Sequence, residues 1–271
     1  MKDTLKLRWL AVLAALLFIA MVTVNALANI LPLNGISTGV LSDNIPNLFV
    51  PAGITFAVWG VIYLLLLGYC AAFLGSAFRR PPKAGWATPE AVIFSLNAAF
   101  NTAWIFAWHW QKIGISLILM FGILTSLIAL MERNHRAMSA LPPAQGGPEK
   151  LRRFLLRNAI LVYLGWICVA TIANFTAWLV TIGWDGFGIS PLVWTIVALL
   201  AATAIAVLLL VRSQAAGSAL VFLWAYLGII LKRAATDPAE TRPIIIAATI
   251  GMGIIALTMV ATLLVRKKAA G

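Results

Sequence analysis

Acidic residues are scarce in this 271-residue chain: eight Asp and Glu stand against twenty Lys and Arg, and charged residues are only 10% of the whole. The scarcity is sharpest in the apolar stretches. From 51 to 78, 91 to 108, 113 to 131, 158 to 181, 189 to 211, 215 to 231 and 243 to 265 no acid occurs, and basic residues stay at the ends, as Arg212 and Lys232 do. Ion-coupled carriers and pumps place an ionisable relay inside the membrane, so this pattern argues against coupling to protons or sodium. A retinal-type Schiff base needs a mid-helix lysine, and the chain has none.

Histidine and cysteine are equally sparse, two of each. His109, between Trp108 and Trp110, is expected at the membrane interface, with a haem axial role as its alternative; His135 falls in a polar linker. Neither has a helical partner four residues away, and no cysteine pair has ligand spacing, so no metal site is expected. Cys70 and Cys168 lie inside apolar segments, where cysteine serves as a small core residue. Phosphate-cradling glycine loops and nucleophile–histidine–acid sets are also missing.

What the chain has is hydrophobicity, at 62% of residues. Eight apolar runs, about 9–29, 51–78, 90–110, 113–133, 157–181, 189–211, 215–231 and 243–265, suit a hydrocarbon core of roughly 30 Å. Backbone groups in lipid must hydrogen-bond within their own segment, so the expected fold is an all-α polytopic membrane protein. The net charge of +12 follows topology rather than a nucleic-acid face. Lys2, Lys6, Arg8, Arg79, Arg80, Lys83, Arg133, Arg136, Lys150, Arg152, Arg153, Arg157, Arg212, Arg266, Lys267 and Lys268 fall on one side, and only Lys112, Lys232, Arg233 and Arg242 on the other. Sixteen against four predicts both termini in the cytoplasm, with anionic lipid as the partner of the basic side and no nucleic acid. The start, with Ala26-Leu27-Ala28 after an apolar run, resembles a cleavable leader; the run exceeds a leader's core, and an uncleaved first helix is preferred.

The longest polar stretch, 132–157, reads as a cytoplasmic linker, and 30–50 as an external loop that is either a plain connector or a cover for a pocket mouth. Ala198, Ala202 and Ala206 form one small-residue ridge, and Ala247 with Gly251 begins another. Such ridges serve helix packing or a homodimer seam, and both remain open.

Polar residues within the apolar runs are not scattered. Asn97, Asn101, Trp104 and Trp108 lie within roughly an 80° arc of one helix, and Tyr163, Trp166, Asn174 and Trp178 within roughly 120° of another. Phe56, Trp59, Tyr63, Leu67 and Cys70 share a face of the second helix. Trp9, Trp86, Trp110 and Trp184 flank helix ends, where an interfacial belt accounts for them. An uncompensated amide in hydrocarbon costs on the order of several kcal/mol, so the striped faces should meet protein, water or a ligand. Aromatic walls dotted with amides suit a large, flat, apolar ligand.

Three of these segments carry a resemblance. Tyr163-Leu164-Gly165-Trp166 with Asn174 and Trp178 resembles the last helix of the TspO/MBR family, the tryptophan-rich sensory proteins and the mitochondrial translocator (peripheral benzodiazepine receptor). Pro51 through Trp59-Gly60-Val61-Ile62-Tyr63 is similar to its second helix, and Asn101-Thr102-Ala103-Trp104 to its third. The resemblance implies a TspO-like five-helix transmembrane bundle over 1–181, with an additional three-helix transmembrane segment over 182–271. It also implies a pocket for porphyrins and other aromatic ligands, lined by Trp59, Tyr63, Asn101, Trp104, Trp108, Tyr163, Trp166, Asn174 and Trp178. Three departures stand out: the aromatic loop before the second helix is reduced to Asn47-Leu48-Phe49-Val50-Pro51, Val162 replaces a proline, and Phe175 replaces a tyrosine. A loose sterol-motif match joins Leu223, Tyr226 and Lys232.

The expected function is that of a membrane binding protein, sensor or carrier, for a tetrapyrrole-like or other apolar aromatic molecule. It requires no cofactor, and a porphyrin or haem-like molecule would be the ligand. The expected location is the inner membrane of a bacterium. One alternative is an enzyme that degrades porphyrin oxidatively or with light, with Trp59 and Trp166 as its catalytic candidates. The other is a permease-like or scaffold subunit whose stripes bind helices together.

Overall fold

The computed structural model describes residues 2–31, 33–79, 87–142, 144–236 and 239–270, with the side chains of Lys2 and 266–270 left aside. Trp86, Arg80 and Lys83 lie outside the described residues. Among those described, the chain is helical and without strands: α1 (Lys2–Ile30), α2 (Thr38–Asp43), α3 (Val58–Ala77), α4 (Thr88–His109), α5 (Ile113–Ser139), α6 (Gly147–Thr181), α7 (Pro191–Ser213), α8 (Gly217–Thr236) and α9 (Arg242–Ala270). Eight stretches are long and apolar enough to cross a membrane, the second of them starting in the turn ahead of α3 at Gly53. All eight expected spans are therefore present.

The helix ends follow local chemistry. Ser190 caps α7 by accepting from Val193 N at 3.4 Å, with Pro191 at the first helical position, where its missing N–H costs nothing. Gln111 takes φ 54° to end α4, and Lys112 N returns to Ala107 O at 2.8 Å. Gly183, at φ 69°, ends α6 in the same way, with Trp184 N on Leu179 O at 3.1 Å.

The chain divides into two compact units, each discontinuous: 1–37 with 59–164, and 38–58 with 165–271. In the first unit α4 packs against both α1 and α5. The α1 face is Leu7, Ala11, Ala14, Phe18, Met21, Asn25 and Ala28, an unbroken alternation of three- and four-residue steps, all buried. Phe94 of α4 meets Phe18 of α1 at 6.1 Å between ring centroids and Tyr69 of α3 at 5.3 Å. Gly68 lets α3 approach the opening turns of α6: a Cβ there would stand 2.8 Å from Leu155 Cδ2.

In the second unit α7, α8 and α9 pack pairwise. Ala202 and Ala206 are fully buried on α7, and a Cβ on Gly251 of α9 would lie 2.6 Å from the Tyr226 ring and 2.8 Å from Thr203 Oγ1. Ala202, Ala206 and Gly251 of the two ridges thus serve close packing within this unit, while Ala198 and Ala247 are half-buried. Tyr226 donates to Leu199 O at 2.6 Å and shares a 2.9 Å hydrogen bond with Thr203, fully buried. That burial removes Tyr226 from any lipid-facing sterol motif, and Lys232 is ion-paired with Asp43.

Candidate functional site

Six of the nine expected site residues belong to the first unit: Trp59, Tyr63, Asn101, Trp104, Trp108 and Tyr163. At its centre is a run of amides and a phenol on three helices. Asn25 Nδ2 of α1 donates to Asn101 Oδ1 of α4 at 2.8 Å, and Asn101 Nδ2 donates to Tyr163 OH of α6 at 2.7 Å. Asn25 Nδ2 also donates to Met21 O at 2.9 Å. All three side chains are buried. This run satisfies the buried amides by tying helices together, the compensation that a low-dielectric interior demands.

Aromatic rings surround the phenol. Trp59 meets Tyr163 edge-on at 5.7 Å and stacks on Tyr63 at 5.4 Å. Trp59 and Tyr63 are half-buried, not core. The buried face of α3 is instead Ile62, Leu66, Tyr69 and Phe73, and Leu67 is exposed. Of the expected stripe, Cys70 is buried, Phe56, Trp59 and Tyr63 are half-buried, and Leu67 faces outward. Every face of this helix is apolar, so its periodicity carries no information about which side is buried.

One and two turns along α4 from Asn101, Trp104 and Trp108 stack at 6.0 Å with 19° between their planes. They are 6% and 5% exposed, and neither indole Nε1 has a hydrogen-bond partner among the described residues. Buried Trp N–H groups ordinarily find an acceptor. Two unmet donors on adjacent turns of one face mark the place in this unit where an acceptor is missing.

Asn97, at the start of the same stripe, turns to α5, donating to Ser126 Oγ at 2.8 Å and Ile123 O at 3.2 Å. His109 is fully buried at the end of α4: its Nδ1 lies 3.0 Å from Leu33 O, and Asn34 Nδ2 donates to His109 O at 3.0 Å. The chain just after α1 is thereby pinned to the end of α4.

The remaining three site residues, Trp166, Asn174 and Trp178, lie in the second unit. Trp166 is buried and meets Phe56 edge-on at 5.7 Å; Asn174 is buried; Trp178 is half-buried beside Phe175 at 5.9 Å. The segment before α3 is built against this unit. Asn47 Nδ2 donates to Thr176 Oγ1 at 2.6 Å, Ala52 N to Gly228 O at 3.0 Å, and Trp224 Nε1 to Thr55 O at 2.9 Å. A Cβ on Gly228 would fall 2.0 Å from Thr55 Oγ1 and 3.0 Å from Pro51 Cβ, so only glycine permits this approach.

Asn25 and Asn47 also make polar contacts here and were not among the expected site residues. Asn25 had a legible signal, since it falls in register on the three-four stripe of α1. Asn47 had none, because its partner is 129 residues away.

No curated protein and no solved structure matches this chain. Residues 11–261 match the family described as TSPO-like protein, a region that takes in the last three spans as well as the first five. With nearly the whole chain matched and the Asn101–Trp104 and Tyr163–Trp166 pairs on long apolar helices, the chain belongs to the TSPO-like protein family.

Proposed function

We propose that this protein binds a flat, apolar aromatic molecule of tetrapyrrole type within the membrane, as a sensor or carrier and without ion coupling. One observation carries the reading: the stacked, buried Trp104–Trp108 pair whose indole N–H groups lack acceptors. An unmet buried donor costs about 1–3 kcal/mol, so two on one face are retained at a loss unless something supplies acceptors. A tetrapyrrole carries peripheral carboxylates as acceptors and presents a flat π face that suits the indoles and the Trp59–Tyr63 stack. Asn101 and Tyr163 then act as the frame that holds α4 in place. Trp166, with Phe56, is a second aromatic set available to a ligand in the other unit.

Titration of the purified protein with protoporphyrin, followed by tryptophan quenching, tests this. In the double variant Trp104→Phe, Trp108→Phe an aromatic ring stays at each position, while the N–H donors go with the pyrrole half of each indole. We expect saturable quenching in the parent and about tenfold or greater weakening in the variant, the value of one to two charge-assisted hydrogen bonds. Equal affinity in the two proteins, or no saturable quenching, would overturn the reading.

A packing role has its own support at one position. Asn97 spends its amide on α5, and we assign it to helix association rather than to the ligand.

A further inference from the structure

The strongest unused feature is a buried cation at the end of α8. Arg233 is 6% exposed, and its Nε has no hydrogen-bond partner among the described residues. Asp43 is near enough to act on it electrostatically, but that carboxylate is ion-paired with the neighbouring Lys232. Among the described residues Asp43 thus serves two cations, and the more buried of the two keeps an Nε–H donor without an acceptor. A buried donor without an acceptor is costly, and ionisable groups in membrane segments are kept for a function far more often than for packing.

The surroundings favour an anion. Thr241 Oγ1, just ahead of α9, donates to Arg233 O at 3.1 Å, which ties the N-terminus of this 29-residue helix to the backbone of the turn that carries Arg233. Helix N-termini carry partial positive charge and outward-facing N–H groups. Guanidinium adds a planar fork of donors that matches a phosphate.

We propose that the last turn of α8 is a binding site for a phosphate-type oxyanion. Arg233 receives it, Lys232 and the N-terminus of α9 support it, and Asp43 is the built-in competitor. The proposal is independent of the aromatic-ligand reading, since it rests on none of those tryptophans. Lipid headgroups and free phosphate both carry the chemistry, and the test separates them.

The test uses the full chain in dodecyl maltoside, whose headgroup is a sugar, titrated calorimetrically with inorganic phosphate and with short-chain phosphatidylglycerol. Saturable binding of the lipid alone assigns the site to headgroups, and binding of inorganic phosphate assigns it to a solute. In Arg233→Gln the affinity should fall about 10- to 100-fold, as for loss of a charge-assisted hydrogen bond. The ligand-free variant should melt no lower than the parent, because it removes a buried donor without an acceptor and leaves the Lys232–Asp43 ion pair in place. Asp43→Asn frees Lys232 and should tighten binding about two- to fivefold. No saturable binding of either probe, unchanged affinity in Arg233→Gln, or weaker binding in Asp43→Asn would each overturn the proposal.

Discussion

Replacing Asn101 with alanine removes two hydrogen bonds at once, one from Asn25 at 2.8 Å and one to Tyr163 at 2.7 Å. Interhelical hydrogen bonds in membranes average about 0.6 kcal/mol and reach about 1.7. Asn101 is completely buried, so one Asn25 proton and the Tyr163 oxygen are left without their partner and water does not replace it. Each orphaned group adds about 1–3 kcal/mol. The loss for Asn101→Ala should therefore be about 3 kcal/mol. Tyr163→Phe removes the phenol and leaves one Asn101 N–H unmet, at a cost of about 1–2 kcal/mol. Because the two residues share one bond, their effects should not add. A double-mutant cycle, read from reversible denaturation in mixed micelles, should give a coupling of about 1 kcal/mol, against 0.3–0.5 for independent sites. Additive effects, or an Asn101→Ala protein as stable as the parent, would refute the claim that this side chain braces three helices.

Gly228→Ala should destabilise the protein by about 1–3 kcal/mol, despite alanine's roughly 1 kcal/mol advantage within a helix, because the new Cβ meets Thr55 Oγ1 at 2.0 Å. Adding Thr55→Ala should restore much of the loss in a thermal melt, since that hydroxyl has no partner among the described residues. A reporter fused after Gly271 should be active only on the cytoplasmic side, as the sixteen-to-four division of Lys and Arg requires; activity on the opposite side would overturn the expected topology.

The number and position of the spans were legible from the chain alone. Hydrocarbon compels each segment to satisfy its own backbone, so length and apolarity are sufficient to define a helix, and that determination is local. The same solvent hides which face of a helix is buried. Where lipid-facing and protein-facing residues are both apolar, period 3.6 has little contrast, and α3 turned Ile62, Leu66 and Tyr69 inward rather than Trp59 and Tyr63. Polar residues restored contrast where they occurred: the Asn101–Trp104–Trp108 face is buried as the amide argument required. Only the tertiary structure decided the partners. Whether an asparagine braces helices or meets a ligand depends on what stands within 3 Å of it, and for Asn101 that is Asn25 and Tyr163, 76 and 62 residues away. The glycine that admits Thr55 and the Arg233 Nε–H left without an acceptor are likewise facts of distance between remote segments. Hydrophobicity along one chain carries no record of them.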